Sequence, residues 1–478
     1  MSLRPSAKHL SVFGGLFLFV MLLTLPHPEY LSPEAWKVLA MAALMLLWWI
    51  SEAVPIPVTA LLPLVLLPIL GVYSLREAAA PYADPVVFLF LGGFMLALGM
   101  ERWNLHRRIA LNIVRRTGTH ADGIILGFML ATFVLSMWIS NTATAVMMLP
   151  IALSVIRLLT VDADADSSAG VQRFALAMML GIAYAANIGG TATLIGTPPN
   201  VVLAGFMRSQ YGVELSFARW LGMALPFALA LLLISYWFLV KVLYPNRLGQ
   251  FKGGADIIRD SLAGLGPLSS GEFRTLLVFL AAAAGWVFQA QLNTILPFRI
   301  GDTEIALLAL FALFIVPSGS APGDALLRWE DTDRLPWGIL LLFGGGLSLA
   351  GALKATGVID LIGAQFAGSE QAGFAVLLGL TAISLFLTEV MSNVALVTVM
   401  LPVVAGVATA MGLNPLLFCI PVTLAASCAF MLPMATPPNA IVFASQHIRV
   451  DQMVRAGFWL NLAAILLITL LAWVFLGE

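Results

Sequence analysis

The stretch ADGIILGFMLATFVLSMWISNTATAVMMLPIALSVI, residues 121–156, decides the fold. As one helix rising ~1.5 Å per residue it would run to roughly 50 Å, against a hydrocarbon core of ~30 Å. A straight span does not fit. Folding the run at its polar centre, Ser140-Asn141-Thr142, gives two arms of about 17 residues and puts Asn141 at a tip at mid-membrane depth. The stretch predicts a re-entrant hairpin. Irregular backbone at that depth is tolerated only where protein buries it or where it lines a cavity, so a polar tip there marks a candidate binding site. A near copy, Ser392-Asn393-Val394, centres a second apolar run over residues 372–410.

The composition sets the class. Of 478 residues, 60% are hydrophobic and 10% charged, where a soluble domain carries about 25% charged residues. The expectation is an all-α polytopic membrane protein with no soluble domain. A net charge of −1 gives no sign of a nucleic-acid surface. Cys419 and Cys428 fall on opposite faces of one predicted helix, which speaks against a disulfide between them. Arg4 and Lys8 precede the apolar run 10–25, and no small-residue cleavage site follows before Pro26, so this run is read as an uncleaved first span.

Further spans are expected near 34–51, 54–71, 84–100, 217–243, 272–291, 303–317, 336–353 and 456–476. Broken spans are expected at 174–206 and 415–445, giving about 11 transmembrane helices plus two re-entrant hairpins. With the N-terminus inside, most of the 24 Lys and Arg fall on cytoplasmic segments. Lys37, Arg76, Arg208, Arg219, Arg299 and Lys354 are left outside. The C-terminus then lies outside, and the two hairpins enter from opposite faces.

The two halves repeat. Gly92-Gly93-Phe94-Met95-Leu96-Ala97 pairs with Gly345-Gly346-Leu347-Ser348-Leu349-Ala350, Asn141 with Asn393, and Gly196-Thr197-Pro198-Pro199-Asn200 with Ala435-Thr436-Pro437-Pro438-Asn439. An odd number of crossings between equivalent points makes the repeat inverted, the mark of secondary transporters whose site lies at the repeat interface. The paired prolines remove backbone donors and push the preceding residue out of helical conformation. Freed carbonyls upstream suit a hard cation such as sodium, and exposed amides downstream suit an anion. Ser140 and Asn141 are favoured N-cap types, so the arm starting at Thr142 can present amides to a carboxylate. No Arg or Lys is predicted near this place.

The paired SNT-type tips and TPPN-type breaks, together with Ile50-Ser51-Glu52-Ala53-Val54-Pro55, resemble the divalent anion/sodium symporter family over essentially the whole chain. That family carries C4-dicarboxylates, citrate or sulfate. The resemblance implies an elevator-type secondary transporter in the plasma (inner) membrane, working as a homodimer in the lipid bilayer. A scaffold part (1–120 and 256–370) would hold a moving transport part (121–255 and 371–478). It implies a first sodium site at Ser136, Ser140, Asn141 and Gly196, and a second at Thr388, Met391, Asn393 and Ala435. Substrate carboxylates would meet Asn141, Thr142 and Asn393, with Thr197, Pro198, Thr436 and Pro437 lining the pocket. Val394 departs from the pattern, standing where a symmetric tip would have Thr. The expected function is sodium-coupled import of a dicarboxylate such as succinate, malate or fumarate. Sodium-independent exchange and carriage of citrate, sulfate or another oxyanion are the alternatives.

Other features have plainer readings. Glu52 and Glu389 are read as structural hydrogen-bonding or ion-paired carboxylates rather than proton couplers. Residues 101–116 read as an interfacial amphipathic helix. Asp162 to Asp166 lacks the Gly and Glu of a calcium loop and reads as a solvated turn. Trp48-Trp49 reads as an interface anchor. An intramembrane enzyme is disfavoured because the five histidines fall in predicted ends and loops, with no metal-ligand spacing. A channel would need a continuous pore.

Overall fold

The computed structural model describes residues 7–161, 168–250, 252–320, 323–366 and 372–476. The Asp162–Asp166 run lies outside them. Among the described residues the chain is helical, and the only β pairings are two isolated bridges. Among the described residues eight helices are long and apolar enough to cross a membrane, or nine if the bent pair Ser270–Val287 and Gln289–Ile295 is one span. Shorter apolar helices, among them Ile56–Ile69 and Pro415–Ala426, fall below that length.

Both expected hairpins form. Ala121–Ser136 is followed by Asn141–Val161, and Gly373–Leu387 by Asn393–Ala410. The first returning arm starts one residue earlier than expected, at Asn141. Ser140 caps it, its Oγ accepting from the Ala143 amide at 3.2 Å. Both expected breaks form too. Ser168–Thr191 gives way to Pro198–Tyr211, and Pro415–Ala426 to Pro437–Phe443. In each case the prolines occupy the first helical positions, where a missing N–H costs nothing.

Two segments are less straight than the sequence suggests. Residues 54–71 divide into Ile56–Thr59 and Leu62–Ile69, and the chain bends by 82° between Val287 and Gln289. Trp48 and Trp49 are not interface anchors. Both are buried, and their indole N–H groups donate to the carbonyls of Val12 and Ile56. Cys419 and Cys428 are free and buried.

The glycine-rich helices of the two halves are exchanged in the packing. Pro85–Arg102 lies against Asp302–Ile315, while Trp337–Ala355 lies against Ile56–Thr59. A Cβ on Gly92 would sit 2.7 Å from the Ala306 backbone, and one on Gly345 would collide with the Ala60 carbonyl. Only glycine permits either approach. At one end the halves are also tied by charge. Arg102 pairs with Asp324 at 3.0 Å and Asp331 at 2.7 Å, and Arg108 with Glu272 at 2.8 Å. Hydrogen bonding from Arg328, reinforced by the charge of Arg102, holds the Asp324 carboxyl below its usual value. Arg108 lies on the expected amphipathic helix, Leu105–Arg116, which buries Leu105, Ala110, Leu111 and Val114 and leaves Arg115 and Arg116 exposed.

Candidate functional site: a cavity between two tips and two breaks

The hairpin tips and helix breaks meet around one cavity of about 990 Å³. All eight residues expected to meet substrate line it: Asn141, Thr142, Thr197, Pro198, Asn393, Val394, Thr436 and Pro437. So do Ser140, Gly196, Met391 and Ala435 of the expected cation sets. Ser136 and Thr388 lie fully buried behind the tips.

Each tip gathers oxygens in the same way. The Ser136 hydroxyl lies 2.7 Å from both Asn141 Oδ1 and the Ala186 carbonyl. The Thr388 hydroxyl lies 2.6 Å from both Asn393 Oδ1 and the Ala426 carbonyl. A hydroxyl has one hydrogen to donate, so one close oxygen–oxygen approach in each cluster lacks a proton. Uncharged oxygens from a hydroxyl, an amide and a main-chain carbonyl are the donor types a hard cation accepts. Space for the first cluster depends on Gly190, where a Cβ would lie 2.6 Å from Asn141 Oδ1.

The breaks are held by their asparagines, to which the sequence reading gave no role. Asn200 Nδ2 donates to the carbonyls of Gly190, Thr191 and Thr193. Asn439 Nδ2 donates to those of Ala429 and Leu432. These carbonyls lie at the end of the upstream helix and in the unwound segment after it, where regular helical partners run out, and an unpaired buried carbonyl is costly. The signal was available, because each Asn closes its repeated motif directly after the two prolines. Asn187, on the first half's broken helix, reaches across to Thr436 Oγ1, Asn439 Oδ1 and the Ala429 carbonyl. Nothing in the repeat pointed to it.

Charge is sparse at the cavity. Glu52, Glu101 and Arg334 are its charged lining residues among those described. Arg334 corrects the expectation that no basic residue approaches. It ends the short helical turn Trp329–Arg334, which follows Asp324 and Arg328 in sequence, and so was invisible as a lining residue of this cavity. Glu389 is buried and bonded only to neutral donors, so its reading as a hydrogen-bonded structural carboxylate holds.

Paired hairpin tips and paired helix breaks enclosing one polar cavity among membrane-length helices define a membrane carrier rather than an enzyme. The chain belongs to the family described as the sodium:sulfate symporter transmembrane region, which it matches over residues 6–477. It is 40% identical over 464 residues to the sodium-dependent dicarboxylate transporter SdcS of Staphylococcus saprophyticus, covering 96% of this chain and 89% of that protein. It is 39% identical to SdcS of Staphylococcus aureus strain USA300 over the same shares. In fold it is similar to the YdaH transporter of Alcanivorax borkumensis, with a TM-score of 0.57 at 14% identity, covering 98% of this chain and 96% of that one.

Proposed function

We propose that the protein is a sodium-coupled symporter that imports a C4-dicarboxylate such as succinate, malate or fumarate. The observation that carries this reading is the pair of matched oxygen clusters, Ser136/Asn141 and Thr388/Asn393, flanking a single cavity. Sodium is a co-transported ion here. Ser136, Ser140, Asn141 and Gly196 hold one ion, and Thr388, Met391, Asn393 and Ala435 hold another. The substrate carboxylates take Asn141, Thr142 and Asn393, with Val394, Thr197, Pro198, Thr436 and Pro437 shaping the pocket. Relatives bearing the name of sodium-dependent dicarboxylate transporters support this choice of ion and substrate.

The energetics require coupling. Bringing a dianion into a cell costs about 2 × 2.3 kcal/mol per 100 mV of inside-negative potential, a cost two sodium ions cancel. A third ion makes import voltage-driven. In this reading about 11 spans and two opposed hairpins form an inverted repeat in the plasma membrane, N-terminus inside and C-terminus outside. The transport part, 121–255 and 371–478, slides as an elevator against a scaffold of 1–120 and 256–370, and the protein works as a homodimer.

The test is uptake of labelled succinate into proteoliposomes, with and without an inward sodium gradient and with and without internal unlabelled succinate. Uptake that requires sodium and grows with inside-negative potential is the expected result. Uptake that ignores sodium but requires internal succinate makes the protein an exchanger. Transport of citrate or sulfate but not succinate moves the substrate assignment.

A further inference from the structure

The helix Trp337–Ala355 meets different surroundings at its two ends. Its 19 residues rise about 28 Å, close to the ~30 Å of a hydrocarbon core. At its start Pro336 and Ile339 line the cavity together with Arg334, which is exposed, so the cavity reaches solvent at this end. At its other end Lys354 meets the helix Pro198–Tyr211. Lys354 Nζ donates to the Gln210 carbonyl and lies 4.4 Å from the centroid of the Tyr211 ring.

Both partners suit an ammonium. The amides of Gly212 and Val213 take the carbonyls of Arg208 and Met207, which leaves that of Gln210 to Lys354 at the negative end of the helix dipole. The face of the Tyr211 ring is also negative. Between the ends the contact is apolar, with Gly205 facing Leu347, where a Cβ would fall 3.1 Å from a methyl group. Among the described residues, hydrogen bonding between these two helices is confined to Lys354. Apolar contact is non-directional and survives sliding, whereas a charge-assisted hydrogen bond holds one register. Pro198–Tyr211 also begins at the first break, with Thr197 and Pro198 on the cavity lining. A single helix of 14 residues, about 21 Å long, thus joins the cavity to the Lys354 contact. The break cannot move across the membrane without drawing Gln210 and Tyr211 with it.

We infer that Lys354 is a positioning residue, a latch that ties Pro198–Tyr211 to Trp337–Ala355 on the face opposite the Arg334 mouth and keeps the cavity closed on that side. The latch has to part before the cavity can open there, and it forms again on each return. This rests on the elevator reading above, in which Pro198–Tyr211 belongs to the transport part and Trp337–Ala355 to the scaffold.

The test places a reporter, Ala143→Cys, on the cavity lining of the full-length protein, whose two native cysteines are buried. A membrane-impermeant maleimide is applied to sealed vesicles of either orientation. With Lys354 intact, labelling is expected to be faster from the face bearing Arg334. Lys354→Met is expected to speed labelling from the opposite face about fivefold, and Lys354→Arg, which keeps a cation able to stack on Tyr211, to hold the original ratio. An unchanged ratio in Lys354→Met makes the contact merely structural and overturns the inference. A second measurement leaves Lys354 in place. A Cβ on Gly351 would lie 3.6 Å from Gln210 Nε2, so Gly351→Cys and Gln210→Cys can be joined by a short reducible thiol cross-linker. Joining them is expected to cut succinate uptake about tenfold or more, with recovery on reduction, because the cycle stops at the closed latch. Undiminished uptake by the joined protein overturns the inference. If the reporter with Lys354 intact never labels from the opposite face even during sodium-driven uptake, the elevator reading itself fails, a result distinct from either of these.

Discussion

The two tips are near copies, but the two breaks behind them are held by different means. In the first half the bonds come from neutral groups: Thr193 bonds to the Met137 carbonyl, Asn200 collects three freed carbonyls, and the Trp220 indole also serves that of Thr191. In the second, Glu389 gathers amides, while Asn439 and Asn187 both serve the Ala429 carbonyl. A duplicated fold keeps its geometry where symmetry supplies matched clusters and departs from it in the polar groups that hold the main chain open. In the first break Asn200 and Trp220 overlap on the Thr191 carbonyl, and in the second Asn439 and Asn187 overlap on that of Ala429.

The largest effect tests the symmetric part. Asn141→Ala and Asn393→Ala each remove an amide from a cluster and are expected to cut succinate uptake by about 100-fold or more, with the protein still eluting as a folded species. Near wild-type uptake by either variant breaks the equivalence of the tips. Next come the clamps. Asn200→Ala removes a donor shared by three buried carbonyls, of which Thr191 keeps the Trp220 indole, Thr193 keeps the Gly196 amide and Gly190 is left alone, and is expected to lower unfolding stability by about 1–3 kcal/mol. Asn439→Ala costs less, because Asn187 still serves Ala429. Thermal melts of both variants in one detergent decide the order, and equal losses would show that Asn187 provides no reserve.

A smaller change is expected at the one asymmetric tip residue. Val394→Thr adds a hydroxyl facing the cavity and is expected to shift the ratio of succinate to citrate or sulfate transport about fivefold, the scale of one hydrogen bond. Unchanged selectivity removes Val394 from the discriminating positions. The smallest effect belongs to Arg334, an exposed charge on the cavity lining. Arg334→Gln is expected to raise the succinate KM about threefold at low ionic strength and hardly at all at high salt, as steering by an exposed charge does. A KM change that ignores salt would place Arg334 in direct contact with substrate.

Much of this architecture was legible because membranes restrict the options. A run too long for one span with a polar centre must fold back, and paired prolines must stop a helix, so both hairpins and both breaks could be read from Ser140-Asn141-Thr142 and Thr197-Pro198-Pro199. What escaped was contact between residues far apart in sequence. Arg334 lies on a turn that carries no motif, and ion pairs from Arg102 to Asp324 and Asp331 hold the segment that brings it to the cavity. Asn187 looks like an isolated polar residue in an apolar helix until the fold brings it to Thr436. Trp48 and Trp49 misled for a related reason, since an indole at a helix end can face headgroups or a neighbouring carbonyl, and periodicity does not tell them apart.

The exchanged glycine helices bear on how the protein is made. Gly92 packs against Ala306 and Gly345 against Ala60, so neither half contains a complete set of its own contacts. The salt bridge from Arg102 to Asp324 spans 222 residues. While the ribosome is still delivering the second half, the first sits in the bilayer with its closest-packed helix face open to lipid or to any passing helix. This packing waits until the second half has been delivered as far as Gly345, and a nascent protein stalled before that point offers quality-control proteases an open target.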